Sequence, residues 1–213
     1  MKNNDIVVSN LNKSGVYEIS FSKIDFDLPY AVSIVVPLSR YALSQIDDEP
    51  TFEYFHHYRT VNTFIDNALL KCGLEIASLG YNYLCVGASH STGDYNGVFP
   101  HKTAARLSGL GYIGKSALFI SNKYGPAVRL GTIATDMLFD IGTPVQTNCG
   151  DCDMCKKACP AMAIKGINYR DGIPREEMVD VVACSEYMKK NFQHIGRGVV
   201  CGMCVKHCKK FDK

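Results

Sequence analysis

The stretch CGDCDMCKKACP, residues 149–160, decides how this chain is read. Cys149, Cys152 and Cys155 are each separated by two residues, and Cys159 follows after three more with Pro160 behind it. Two-residue gaps let one loop wrap three thiolates around the corners of a cubane. A fourth cysteine, past a helical turn, points away and ligates a second cluster. Pro160 suits that redirection, since it cannot donate into a continuing helix. A zinc site usually pairs two cysteines with two distant ligands, which this run of four fits poorly. The spacing therefore predicts iron–sulfur chemistry.

Moving outward, a second set follows: Cys184, then Cys201, Cys204 and Cys208. A two-cluster ferredoxin would place a further cysteine three residues before Cys201. That position is Gly198, and Cys184 on the preceding helix is its natural replacement. Eight thiolates then suffice for two [4Fe–4S] clusters. By the crossed rule Cys149, Cys152, Cys155 and Cys208 hold one, and Cys159, Cys184, Cys201 and Cys204 hold the other. An uncrossed partition uses the same eight residues and stays open. Cys72 and Cys85 fall in helix and strand patterns and read as core residues.

The composition agrees with metal-binding thiols. The chain has 213 residues, 46% hydrophobic and 21% charged, which excludes disordered and fibrous classes. Its start lacks the apolar core of a signal peptide, so a cytoplasmic location is expected, where thiols stay reduced. No run approaches the roughly 20 apolar residues that span a bilayer. A net charge of +2 gives no reason to expect nucleic acid or an anionic membrane as partner. Charge nevertheless divides along the chain: residues 1–148 carry 11 basic and 13 acidic side chains, residues 149–213 carry 12 and 8. Two thiolate-bound clusters would offset the basic excess, although a solvated basic face explains it too.

The first 148 residues read as mixed α/β. Residues 15–24 alternate as a strand, and 31–38 form a continuous apolar run suited to a buried one. The polar stretch 39–50 reads as a loop. From 51 to 79, Val61, Ile65, Ala68, Leu69, Cys72, Ile76 and Leu79 mark one face of a helix closed by Gly80. Residues 83–88 form a strand, 89–100 a loop, 101–108 a short helix, and 116–120 and 128–135 two further strands. Residues 140–148 are the expected linker, giving domains 1–143 and 144–213 and an α+β fold class. His56 and His57 are adjacent on the long helix, point in different directions, and are not expected to share a metal.

Gly109-Leu110-Gly111-Tyr112-Ile113-Gly114 matches the dinucleotide fingerprint letter for letter. That fingerprint needs a strand before it and a helix after it. Here the order is reversed, and the nicotinamide reading is rejected. What remains is a glycine-rich loop whose backbone can approach a ligand, or a tight turn with none.

A family resemblance is carried by these same segments. AARLSGLGYIGK (104–115), Tyr124-Gly125-Pro126, RLGTIATD (129–136) and the eight cysteines, in that order, resemble the epoxyqueuosine reductase-like family, whose relatives are the corrinoid-dependent reductive dehalogenases. The resemblance implies a nitroreductase-like α/β domain that holds a corrinoid (cobalamin), fused to a ferredoxin-like two-cluster module. It implies that Gly109, Gly111, Gly114, Lys115, Tyr124, Gly125 and Arg129 lie along the corrinoid. Asp94 or Lys102 is then the candidate proton donor, and ferredoxin or flavodoxin the electron donor for an unidentified small substrate. A homodimer is compatible. Family members continue past the last cluster cysteine into a helical region that helps hold tRNA, whereas this chain stops five residues after Cys208, so a short form without a nucleic-acid substrate is expected. The rival reading is an electron carrier or corrinoid-reducing partner without turnover of its own. A flavin in the α/β domain is a third.

Overall fold

The computed structural model describes residues 2–89, 91–93, 95–197 and 200–211. In chain order its elements are α1 (Asn3–Lys13), β1 (Glu18–Lys23), β2 (Tyr30–Pro37), α2 (Arg40–Ser44), α3 (Phe52–Ser78), β3 (Tyr83–Val86), α4 (His101–Leu107), β4 (Gly111–Ile113), β5 (Phe119–Ser121), β6 (Val128–Thr135), α5 (Met154–Lys157), α6 (Arg175–Met178), α7 (Val181–Phe192) and α8 (Met203–Lys206).

Two compact units divide the chain. The first takes Met1–Val36, Val61–Tyr112 and Arg129–Gln146, and the second takes Pro37–Thr60, Ile113–Val128 and Thr147–Lys213. A single cut after residue 143, the sequence expectation, matches neither outline. Two segments from before residue 143 join the cysteine-rich end.

In the first unit a four-stranded sheet runs in the order β1-β2-β6-β3, with β1 antiparallel to β2 and β3 antiparallel to β6. The apolar stripe of α3 closes on this sheet. Ile34, Ile65, Leu69, Cys72, Ile76 and Ile133 are all fully buried. Gly131 on β6 gives the helix room, since a Cβ there would stand 2.6 Å from Ile65 and 2.9 Å from Ile34. A smaller core joins Ile24, Ala31, Val86, Phe99, Ala104 and Ala134, and seats α4.

The helix expected over 51–79 and the strand over 128–135 are present within a residue of their ends. Other boundaries need correction. Residues 39–50 are not all loop, because Ser39 caps a short helix by accepting a hydrogen bond from the Ala42 N–H at 3.2 Å. The strand expected over 116–120 begins only at Phe119. Gly111–Ile113, expected as loop, is a fully buried strand. No element was expected over 3–13, where α1 buries only Val7 and Leu11.

In the second unit, α2 and the start of α3 pack around the last cysteines. A Cβ on Gly202 would stand 2.5 Å from Ile46 and 2.8 Å from Tyr54. The Lys206 ammonium donates to the Ile46 carbonyl oxygen. No helix among the described residues is long and apolar enough to cross a membrane.

Candidate iron–sulfur ligand sets

All eight expected cysteines are half-buried and none is disulfide-bonded. They sit on short elements. The α5 turn carries Cys155, with Cys152 before it and Cys159 after it. Cys184 lies in the first turn of α7, and α8 carries Cys204 between Cys201 and Cys208. Burial and neighbouring thiols raise five of them, Cys155 and Cys208 of one expected quartet and Cys184, Cys201 and Cys204 of the other. Cys155 is pushed up to about 11, first by burial and then by Cys149, Cys208 and Cys152. Cys208 is raised by burial, with Cys149 and Cys152 adding to it. In the other quartet Cys184 is raised by burial and then by Cys159. Burial likewise pushes Cys201 up to about 11, against a Met203 backbone N–H, with Cys184 and Cys159 contributing. Cys204 is raised by burial and by Cys201, Cys184, Cys155 and Cys159. Cys155 thus also acts on Cys204, across the expected division.

Burial therefore disfavours the thiolate at Cys155, Cys184, Cys201, Cys204 and Cys208 in the absence of metal. A soft cation binds only the thiolate, so loading these quartets releases protons. Among the described residues no three His, Cys, Asp or Glu side chains are placed to share a single metal ion. A cubane does not require that, because each of its irons takes one thiolate. The chemistry of the donor set, four soft sulfurs per quartet, fits the two clusters. The Ala163 N–H approaches Cys159 Sγ at 3.4 Å, a contact of the kind that steadies a ligating thiolate.

Of the residues expected along a corrinoid, Gly109, Gly111 and Arg129 lie in the first unit and Gly114, Lys115, Tyr124 and Gly125 in the second. Gly109 has a φ of +84°, and a Cβ there would stand 2.4 Å from the Thr143 carbonyl oxygen. Gly125, with a φ of +65°, meets the Lys210 carbonyl oxygen in the same way at 2.1 Å. A Cβ on Gly114 would stand 3.1 Å from Ile120 and 3.4 Å from Cys149 Sγ. The faces of these three glycines are therefore filled by the protein's own atoms. Gly111 is buried in β4. Tyr124 is half-buried, with its N–H donating to Ser121 Oγ at 3.2 Å and Lys123 Nζ 5.1 Å from its ring centre. Arg129 donates from Nε to Asn62 Oδ1 at 2.9 Å and from Nη2 to Ser89 Oγ at 2.5 Å. Ser89 stands in the left-handed region with a φ of 61°, so this contact holds a strained turn. Lys115 is buried with 7% of its surface exposed.

Of the candidate proton donors, Lys102 is half-buried on the first turn of α4, and Asp94 lies outside the described residues. Its neighbour His101 has a structural environment that the sequence did not signal. Its Nδ1 lies 2.9 Å from Thr132 Oγ1 and its Nε2 3.3 Å from the Gly87 carbonyl oxygen. Burial holds its pKa below the ordinary histidine value; the Gly87 carbonyl opposes that shift, and Arg129 reinforces it. His57 accepts the Ser39 N–H at Nε2 over 2.8 Å, which makes it the positioner of α2. Cys72 and Cys85 are free thiols in the first unit, pushed up by burial to about 12 and about 11. Cys85 lines a hollow of about 300 Å³ with Leu84, Val86, Gly87 and Val98, which has no charged side chain in its lining.

Comparison with known proteins follows the same lines. No protein-family model matches the chain. An epoxyqueuosine reductase from Lactococcus garvieae is 32% identical over 117 residues, covering 50% of this chain and 33% of that protein. A reductive dehalogenase, whose structure is described as suggesting a mechanism for B12-dependent dehalogenation, superposes with a TM-score of 0.75 at 16% identity. The match covers 95% of this chain and 30% of that one. An epoxyqueuosine reductase solved with an epoxyqueuosine-modified tRNA-Tyr stem loop gives a TM-score of 0.65 at 15% identity, covering 98% of this chain and 65% of that one. The chain thus spans about a third of the curated relative's length.

Proposed function

Because the chain is a relative of the epoxyqueuosine reductases, we propose that it is an iron–sulfur oxidoreductase that moves single electrons through two [4Fe–4S] clusters. The observation that carries this is that eight free, half-buried thiols gather in one compact unit. Cys149, Cys152, Cys155 and Cys208 would hold one cluster, and Cys159, Cys184, Cys201 and Cys204 the other. Bound there, the clusters supply reversible one-electron chemistry at low potential. The chain's own part is to present and orient the eight thiols, which give up their protons as the metal binds.

The partition has a direct test. Single Cys→Ser changes should each remove about half of the iron. The double variant Cys155→Ser with Cys208→Ser stays within one quartet and should keep the other cluster. Cys159→Ser with Cys208→Ser crosses the division and should keep none. Equal iron in the two doubles would contradict the crossed assignment.

The electron acceptor we propose is a corrinoid that reduces a small substrate, supported by the likeness in fold to a reductive dehalogenase. The glycines named for it do not form an open cradle, since a Cβ on Gly109, Gly114 or Gly125 would meet the protein's own atoms. Lys102 is the described candidate for delivering a proton, with Asp94 its alternative. The second reading, an electron carrier without turnover, is favoured by those filled glycine faces. Titrating cob(II)alamin into cluster-loaded protein separates the two: saturable binding with a shifted cobalt spectrum supports the reductase, and its absence supports the carrier. A flavin would show in the same spectrum. One relative was solved with a tRNA stem loop, but with a net charge of +2 no tight tRNA binding is expected here at physiological salt.

A further inference from the structure

Two asparagines hold the peptide groups on either side of Gly150, which stands between Cys149 and Cys152 in the ligand loop. The Gly150 N–H donates to Asn148 Oδ1 at 2.8 Å, and Asn168 Nδ2 donates to the Gly150 carbonyl oxygen at 3.1 Å. Gly150 has a φ of +55°, and nothing among the described residues lies within 4 Å of where its Cβ would stand. Hydrogen bonds rather than packing therefore hold this residue, whose backbone is the freest of any type. A further tie runs from the Cys152 N–H to the Cys149 carbonyl oxygen, at 3.2 Å.

Asn168 reaches Gly150 from 18 residues further along, in the irregular stretch between α5 and α6. Gly166 turns that stretch with a φ of +84°, and the Lys165 N–H pins its base by donating to the Met178 carbonyl oxygen at 2.9 Å. The side chain carries a cost. Asn168 Oδ1 is buried and has no hydrogen-bond partner, and an unpaired buried acceptor is destabilising. Turning the amide end for end gives no relief, because Oδ1 would then face the Gly150 carbonyl oxygen, acceptor against acceptor. A leucine has the same fork at its γ carbon and leaves no polar atom unpaired. What asparagine has and leucine lacks is the N–H on Gly150. We propose that Asn168 is a positioning residue for the cluster that Cys149 and Cys152 share, holding the Gly150 carbonyl so that both sulfurs stay on their irons. This rests on the two-cluster reading above. It holds for the crossed and uncrossed partitions alike, since both put Cys149 and Cys152 on one cluster. Loss of a partner that orients a ligand typically weakens metal binding about 10- to 100-fold.

The test is iron release to a chelator from anaerobically loaded protein, in two backgrounds. Cys184→Ser leaves only the cluster of Cys149 and Cys152, and Cys152→Ser leaves only the other one. In the first background Asn168→Leu should release iron about tenfold faster than its parent and alter the electron paramagnetic resonance signal of the reduced cluster. In the second, release should stay within about twofold of the parent and the signal should not change. Asn10→Leu is the control: it removes another buried, unpartnered Oδ1, in the first unit, and should move neither readout. Asn168→Ala, which cannot overpack, should behave as Asn168→Leu does and decides the matter if the leucine variant does not fold. Release within about twofold of the parent in the Cys184→Ser background would overturn the inference. Equal acceleration in both backgrounds would overturn it too, because a merely structural residue loosens both clusters. Wild type that loads no clusters would overturn the two-cluster reading and this inference together. Intact clusters that Asn168 variants release at the wild-type rate overturn only the inference.

Discussion

Replacing Gly125 by alanine tests how the chain encloses its last cysteine. Gly125 follows β5 in a turn closed by reciprocal backbone hydrogen bonds with Ser121, at 2.8 and 3.0 Å. Its φ of +65° costs any other L-residue about 1–2 kcal/mol. The added methyl would also stand 2.1 Å from the Lys210 carbonyl oxygen, which is backbone and cannot swing aside as a side chain could. The chain just after Cys208 must retreat by about 1 Å, and overpacking of that kind costs about 1–3 kcal/mol more. The total is about 2–5 kcal/mol. Gly172→Ala is the matched control, because its φ is +78° with nothing within 4 Å of the new methyl, so it should lose only the backbone share. Anaerobic urea titration followed by circular dichroism should show Gly125→Ala less stable than Gly172→Ala by at least about 1 kcal/mol. Iron should also leave Gly125→Ala faster, because the displaced segment carries Cys208. Equal losses in the two variants would refute the reasoning that the Lys210 contact matters.

Other changes follow from the same geometry. Cys184→Ser should lower iron to about four per chain, whereas Cys72→Ser, in the first unit, should leave iron unchanged and cost about 1–3 kcal/mol by burying a hydroxyl, read from iron analysis and unfolding curves. Gly131→Ala should cost about 1–3 kcal/mol, because the new methyl meets Ile65, Ile34 and Leu69 at 3.0 Å or less. His101 has a folded pKa below its ordinary value, so the unfolded chain takes up its proton first as pH falls. Stability should therefore decline from about pH 6.5 toward the lowered folded pKa, and His101→Asn should flatten that decline in unfolding curves measured between pH 7.5 and 5.

How much of this was legible in the sequence depends on the kind of signal. The eight cysteines stand out by spacing, which reports which thiols a short loop can bring together, and all eight are free and half-buried in the structure. The long helix was legible because Ile65, Leu69, Cys72 and Ile76 repeat a strong stripe, and all four are fully buried. The helix over 3–13 buries only two side chains, too thin a stripe to stand out. The five-residue helix after Ser39 is shorter than any periodicity can reveal. What the glycines are for is hard to read from sequence for a different reason. Gly109 and Gly125 are needed where distant backbone, Thr143 and Lys210, comes close, and no local pattern announces a contact made across the fold. The same holds for Arg129, whose partners Asn62 and Ser89 stand 67 and 40 residues away. The domain division was hidden likewise, because residues 37–60 join the cysteine-rich unit through contacts such as Lys206 with Ile46.

The central claim is that two cubanes occupy the two thiol quartets, and Mössbauer spectroscopy with iron and acid-labile sulfide analysis of anaerobically purified protein tests it most directly. The account predicts about eight iron and eight sulfide per chain, with spectra of [4Fe–4S] centres only. Saturation near four iron after reconstitution, or stoichiometric zinc in place of iron, would contradict it.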